Sequence, residues 1–282
     1  MATLGLTLGL AGFVVSPDAT LALVVRTGNG NDSAPIEDQG WSHVGSIGNG
    51  SGVYMGNGWV LTARHVNRNT PFNLDGIDYS LTGQTVPIAP VAGDSGSPDL
   101  LLFRINNAPN LPLMPIRQTS ITPGTAVTMI GTGSIVGSGE KSYSTGIGAN
   151  ALVGFDVSAT RSKLWGENTV WRTYEQNIDD NRDLITLNNG DTLNDLFFNG
   201  LGYSSRTFTT HFNKETYDGE SSRTHEAQAQ GGDSGAGVFA NNAGTWELSG
   251  LMVSIFGYRS NSAIYHGTGA LTNDILGGRP AM

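Results

Sequence analysis

Apolar residues along this chain come in short bursts rather than in helical stripes. "SGVYMG" (51–56), "GWVLTA" (58–63), "DLLLFRI" (99–105), "AVTMIGTG" (126–133), "AGVFA" (236–240), "TWELSGLMVSIFG" (245–257) and "GALTNDI" (269–275) are rich in Val, Ile, Leu, Phe and Thr. Gly, Asn or Pro bounds most of them, the punctuation of strands that end in tight turns. No long stretch keeps an apolar period of about 3.6 residues, so the pattern predicts an all-β chain. "GNGNDS" (28–33) and "IGNGSG" (47–52) add hairpin signals.

Two stretches interrupt this pattern. Residues 107–124 carry Pro109, Pro112, Pro115 and Pro123 and admit no regular element, so they read as an extended connector between two halves. Residues 155–227 are more polar, with "NIDDNRD" and "FNKETYDGESSRTHE", and read as a long loop insertion in the second half. The predicted organisation is a leader over 1–23, a first unit over 24–117 and a second over 118–282. Within the leader, "LGLTLGLAGFVV" (4–15) is too short to span a bilayer but fits the apolar part of an export signal, although no Lys or Arg precedes it. The expected location is secreted or periplasmic, with no stable membrane span.

Composition narrows the chemistry. Glycine reaches 40 of 282 residues and charged residues only 14%, which suits strands and turns better than helices. A net charge of −9 and no basic run exclude general nucleic-acid binding. There is no cysteine. Thiol nucleophiles and thiolate metal sites are therefore excluded, and a bacterial origin is expected for a fold that stands without disulfides. "DDNRD" (179–183) begins like a calcium loop but lacks the glycine and the late glutamate, so neither a metal nor a cofactor is assigned.

The candidate chemistry starts from a repeated tetrad. Gly-Asp-Ser-Gly occurs at 93–96 and again at 232–235. Acyl transfer by a serine needs a base, an anion to orient it and donors for the oxyanion. The bases on offer are His43, His65, His211, His225 and His266. His65 follows the apolar strand of "GWVLTARHV", where a rigid strand end can hold an imidazole in one orientation. Asp99 heads the apolar run of "SPDLLLFRI", where a buried carboxylate needs a partner such as an imidazole N–H.

"GWVLTARHV", "PDLLLFRI" and "GGDSGAGVF", in that order, resemble the three signature blocks of the trypsin-like (chymotrypsin-fold) serine proteases. "LPLMPIRQ" is similar to the connector between that family's barrels, "PGTAVTMIGTG" to the strand opening its second barrel, and "YHGTGALTNDI" to its last strand. The resemblance spans roughly residues 24–275. It implies two six-stranded antiparallel Greek-key barrels with the active site in the cleft between them. It further implies a monomeric serine endopeptidase acting on a peptide or protein substrate, with Ser234 as nucleophile, His65 as base and Asp99 as its orienting anion. Ser95 lies in the loop just before Asp99 and is set aside. The backbone N–H groups of Gly232 and Ser234 would form the oxyanion hole.

The resemblance also places Gln228 at the base of the primary pocket, Gly267 on its wall, Ser254 on the strand that pairs with substrate and Phe256 near the pocket mouth. A neutral Gln228 implies preference for uncharged side chains. "LVVRTG" (23–28) lies about where the family's mature N-terminus falls, although Arg26 stands where the family favours Gly. Arg64 and Val66 replace the family's usual small residue and cysteine beside the histidine. Two other readings stay open: a non-catalytic trypsin-like fold used as a binding module, and a serine esterase.

Overall fold

The computed structural model describes residues 23–28, 30–92, 96–143, 152–173, 184–186, 192–194, 197–200, 203–215, 221–253, 255 and 262–265. Its regular elements are strands, apart from one 3-10 turn at Trp41–His43. Residues 1–22 of the leader, Ser95, the 179–183 run, Ser254, Phe256 and Gly267 lie outside the described residues. In chain order the strands are β1 (Val24–Val25), β2 (Val44–Ile47), β3 (Gly50–Gly56), β4 (Trp59–Thr62), β5 (Phe72–Leu74), β6 (Ile77–Tyr79), β7 (Leu81–Pro87) and β8 (Leu101–Ile105) in the first half. The second half holds β9 (Ala126–Gly131), β10 (Ser134–Val136), β11 (Lys141–Tyr143), β12 (Leu152–Arg161), β13 (Leu164–Thr173), β14 (Leu184–Thr186) and β15 (Thr192–Asn194). It continues with β16 (Phe197–Gly200), β17 (Tyr203–Arg206), β18 (Phe208–Thr210), β19 (Ala227–Gln228), β20 (Gly237–Asn242), β21 (Thr245–Leu251) and β22 (Ser262–Ile264).

The protein is all-β, with two curled antiparallel half-barrels facing each other. The first is a seven-stranded sheet in the order β6-β5-β2-β3-β4-β8-β7. Alternation along its strands turns Ile47, Tyr54, Val60, Phe72, Phe103 and Ile105 into one core. The second half is built on the five-stranded sheet β18-β13-β9-β20-β21, with β10, β11 and β22 gathered around β12. Val127, Met129, Leu164, Val170, Val238 and Met252 fill its interior. A third cluster takes Val44 and Val53 from the first half and Ile130, Phe239, Leu248 and Leu251 from the second. That apolar seam holds the two halves in one arrangement, as the cleft requires.

Two expectations need correction. Residues 155–227 are not simply surface loops, because β12 and β13 run through them as ten-residue strands. Their polar residues are interleaved with Phe155, Leu164 and Val170, all buried, so polar composition here marks a barrel strand with one wetter face rather than a loop. Residues 24–25 do not open the first barrel. Val24 pairs with Gln228 and Val25 with Ala227, and Leu23, Val24 and Val25 are fully buried in the second half. Three consecutive apolar side chains have more to gain in that core than on a barrel edge.

Candidate active site

One strand pairing brings the first two candidates together. In the β4–β8 ladder, Thr62 lies opposite Leu101, so both strands end at the same level. His65 follows just past the end of β4, and Asp99 sits just before the start of β8. Asp99 is fully buried. Its Oδ2 lies 2.6 Å from His65 Nδ1, and its Oδ1 accepts the His65 backbone N–H at 2.9 Å. Both carboxylate oxygens thus serve one residue, which fixes the imidazole's position and ring orientation. The Asp99 N–H donates to Ser205 Oγ at 2.8 Å, so β17 of the polar insertion reaches the back of this pair. Arg64 does not point at the imidazole: its guanidinium lies 5.3 Å from the Tyr203 ring centroid on the same strand.

Ser234 is carried on a turn that precedes β20. The Asp233 N–H donates to Gln230 O at 2.9 Å, closing a four-residue turn whose third position is Gly232, at φ +99. That is the type II pattern, which needs a residue without a Cβ. A Cβ at 232 would stand 2.6 Å from Arg161 Nε and 2.9 Å from Gly133 Cα. The turn is pressed onto the first half: the Ser51 N–H donates to Ser234 O at 2.8 Å. A Cβ on Gly235 would meet Thr62 Oγ1 at 2.3 Å and Ala63 N at 2.8 Å. The serine therefore sits against the strand end that carries His65. No hydrogen bond joins Ser234 Oγ to the imidazole among the described residues.

Beneath the turn lies a carboxylate that the structure accounts for in full. Asp233 is fully buried. It accepts the Gly133 N–H on Oδ1 and the Gln230 N–H on Oδ2, each at 2.8 Å. Burial pushes its carboxyl up to about 7, while the two amides and the positive charge of Arg161 pull it down. Arg161, at the end of β12, donates to the carbonyls of Thr132, Gly48, Gly50 and Gly232 at 2.8–3.2 Å. Sequence reasoning missed Arg161, Ser51 and Ser205. None stands in a motif, and each acts on residues far away along the chain.

A cavity of about 240 Å³ opens beside Ser234, lined by Ala229, Gln230, Gly231, Met252, Val253 and Ile255. None of these side chains is charged. Gln228 is not among them: it is buried on β19, and its Oε1 has no hydrogen-bond partner among the described residues. Glu226, close upstream of the cavity in sequence, accepts the N–H groups of Asn213 and Arg223 on its carboxylate. The remaining described histidines are held elsewhere. His43 bonds to Ser42 and to Pro112 O, His225 bonds to Thr27, and His211 packs on Trp171 at 4.2 Å between ring centroids.

A family model described as a trypsin-like peptidase domain matches residues 50–251. That range contains His65, Asp99 and the turn that carries Ser234. No curated protein sequence gives a match. Among solved structures, the Rv3671c protease from M. tuberculosis in its active form is 12% identical, with a TM-score of 0.45 over 98% of this chain and 97% of that one. The NS6 protease from murine norovirus 1 is 16% identical, with a TM-score of 0.37 over 84% of this chain and 94% of that one. The HtrA-type protease AlgW with a decapeptide is 19% identical, with a TM-score of 0.40 over 77% of this chain and 46% of that one.

Proposed function

The chain belongs to the trypsin-like peptidase family, and on that premise we propose that it is a serine endopeptidase with Ser234 as its nucleophile. The observation that carries this reading is the His65–Asp99 pair, in which a fully buried carboxylate spends both oxygens on one imidazole at the rim of the turn bearing Ser234. Asp99 accepts the Nδ1–H of His65 and so leaves Nε2 as the free, basic nitrogen. When substrate fills the cleft, Nε2 takes the Ser234 hydroxyl proton as Oγ attacks the scissile carbonyl, and later gives it to the leaving amine. Asp99 stabilises the imidazolium in between. The Gly232 and Ser234 N–H groups receive the charge that develops on the carbonyl oxygen. With no cysteine in the sequence, a thiolate has no place in this scheme. The uncharged lining of the cavity beside Ser234 favours an uncharged side chain on the acyl side of the cut, because a substrate Lys or Arg there would lose water without gaining a partner.

A fluorophosphonate probe together with a peptide substrate tests this. The wild type should be labelled and should cleave peptide, Ser234→Ala should lose both, and Ser95→Ala should keep both. Labelling that survives Ser234→Ala and disappears in Ser95→Ala would reverse the assignment. Labelling with ester but no peptide hydrolysis would make the protein an esterase. Absence of both from the folded wild type would make it a binding module.

A further inference from the structure

Arg161 is the best-anchored side chain near the turn, and it has no part in the scheme above. Its guanidinium leaves no fork nitrogen idle: Nε donates to Thr132 O at 3.0 Å, Nη1 to Gly48 O at 3.0 Å, and Nη2 to Gly50 O at 2.8 Å and Gly232 O at 3.2 Å. Two of these carbonyls belong to the β2–β3 hairpin of the first half, Gly48 in its turn and Gly50 at the start of β3, and two to the second half. The Gly232 carbonyl also accepts Ser51 Oγ at 2.8 Å, and that hydroxyl is itself fixed by Thr132 Oγ1 at 2.6 Å. The carbonyl of the 232–233 peptide is thus gripped by two side chains, while its N–H is held by Gln230 O.

The grip matters because of what it holds. A glycine at φ +99 is free to leave that angle, and rotating the peptides around it would swing the Gly232 N–H. The peptide that carries the Gly232 N–H is held at its far side by the Ser134 N–H, which donates to Gly231 O at 2.8 Å. Fixing the next peptide plane restricts the remaining rotation at φ of Gly232 before substrate arrives. Preorganised donors are what make an oxyanion site effective, since they need no reorganisation at the moment of reaction. A planar five-donor fork can serve several carbonyls at once, and an ammonium cannot copy that geometry.

We propose that Arg161 is a positioning residue for acyl transfer: together with the Ser51 hydroxyl it locks the 232–233 peptide, so that the Gly232 N–H stays aimed at the developing oxyanion. The proposal rests on the reading of Gly232 and Ser234 as oxyanion donors. It assigns the cross-barrel contact a catalytic consequence as well as a structural one.

Arg161→Ala, Arg161→Lys and Ser51→Ala test it, measured in kcat, KM and the affinity for a peptide boronate, whose tetrahedral adduct places an oxygen where the oxyanion would form. Arg161→Ala should lower kcat by about 10- to 100-fold with KM within about threefold, the pattern of an interaction realised only in the transition state. Boronate affinity should fall by a similar factor while affinity for the product peptide holds. Arg161→Lys should recover only part of the loss. Ser51→Ala leaves the guanidinium in place and should cost several-fold in kcat, which keeps the test alive if Arg161→Ala does not fold. An unchanged kcat in folded Arg161→Ala and Ser51→Ala, a change confined to KM, or full activity in Arg161→Lys would overturn the proposal. Ser234→Ala separates the two claims. If it is inactive while the Arg161 and Ser51 variants match wild type, only this inference fails. If it keeps activity, the reading beneath it fails.

Discussion

The two sides of the cleft are built by different means. On the His65 side, one ladder between adjacent strands sets everything: β4 and β8 end level, and a single carboxylate meets a single imidazole at 2.6 Å. On the Ser234 side, no element holds the turn alone. Ser51 from β3 holds the Ser234 carbonyl, Arg161 at the end of β12 holds the Gly232 carbonyl, and Gly133 after β9 holds the Asp233 side chain. The first arrangement concentrates its dependence in one bond between two side chains. The second spreads it over several contacts, of which those from Ser51 to the turn and from Arg161 to Gly48 and Gly50 exist only once both halves are docked. One side should therefore fail by chemistry and the other by geometry.

The sharpest way to break this contrast is Asp99→Asn. The amide keeps the shape, and its oxygen can still accept the His65 backbone N–H, so the fold should survive with its melting temperature little changed. Its NH2 group cannot accept the imidazole Nδ1–H, so the ring takes the wrong tautomer and Nε2 ceases to be a base. We expect kcat to fall by roughly 10³- to 10⁴-fold with KM nearly constant, a magnitude belonging to serine triads in general rather than to this structure. Steady-state kinetics beside a thermal melt checks it. A loss under about tenfold would reduce Asp99 to a strap for the 63–65 backbone.

The same contrast explains what the sequence discloses. His65, Asp99 and Ser234 each sit in a contiguous block whose strand or turn is visible locally, and the strands around 51–63, 99–105 and 236–251 lie where alternation predicts them. Arg161 leaves no such trace. It is one basic residue in a polar stretch, and its contact with Gly48 spans 113 positions along the chain. Ser51 looks like turn composition until its hydroxyl is seen to hold both Thr132 and Gly232. The insertion misleads for a related reason: a barrel strand with one wet face carries about as much polar character as a loop, and only the partner strands reveal which it is.

A pH series on Asp233 sharpens the comparison next. Asp99 faces an imidazole, whereas Asp233 faces the amides of Gly133 and Gln230, with Arg161 as the charge that acts on it. Its carboxyl is raised from an ordinary 3.8 to about 7, so between those values the folded state holds a proton that the unfolded chain has released. Stability must then fall as pH rises through that window and level off above it. The full effect is on the order of 4 kcal/mol. Asp233→Asn cannot titrate, and although losing an acceptor costs it a constant offset, its stability should slope less steeply with pH. Urea unfolding of both proteins at intervals from pH 4 to pH 8 measures the difference. Parallel curves would mean that Asp233 stays ionised throughout.

The smallest expected effect tests whether the His65 side is as self-contained as it looks. Ser205, on β17, reaches across from the second half to accept the Asp99 N–H at 2.8 Å. Its neighbour Tyr203 lies under the Arg64 guanidinium. The bonds that orient the imidazole do not pass through Ser205, which supports only the backbone of the residue that makes them. Ser205→Ala would leave a buried amide without its acceptor, at a cost of about 1–2 kcal/mol in stability. If the β4–β8 ladder fixes Asp99 by itself, kcat should drop by no more than about twofold, and the pH at half-maximal kcat/KM should not move. If the acid limb shifts and kcat falls tenfold with stability barely altered, the insertion takes part in aligning the base. The His65 side would then depend on docking of the two halves as much as the Ser234 turn does.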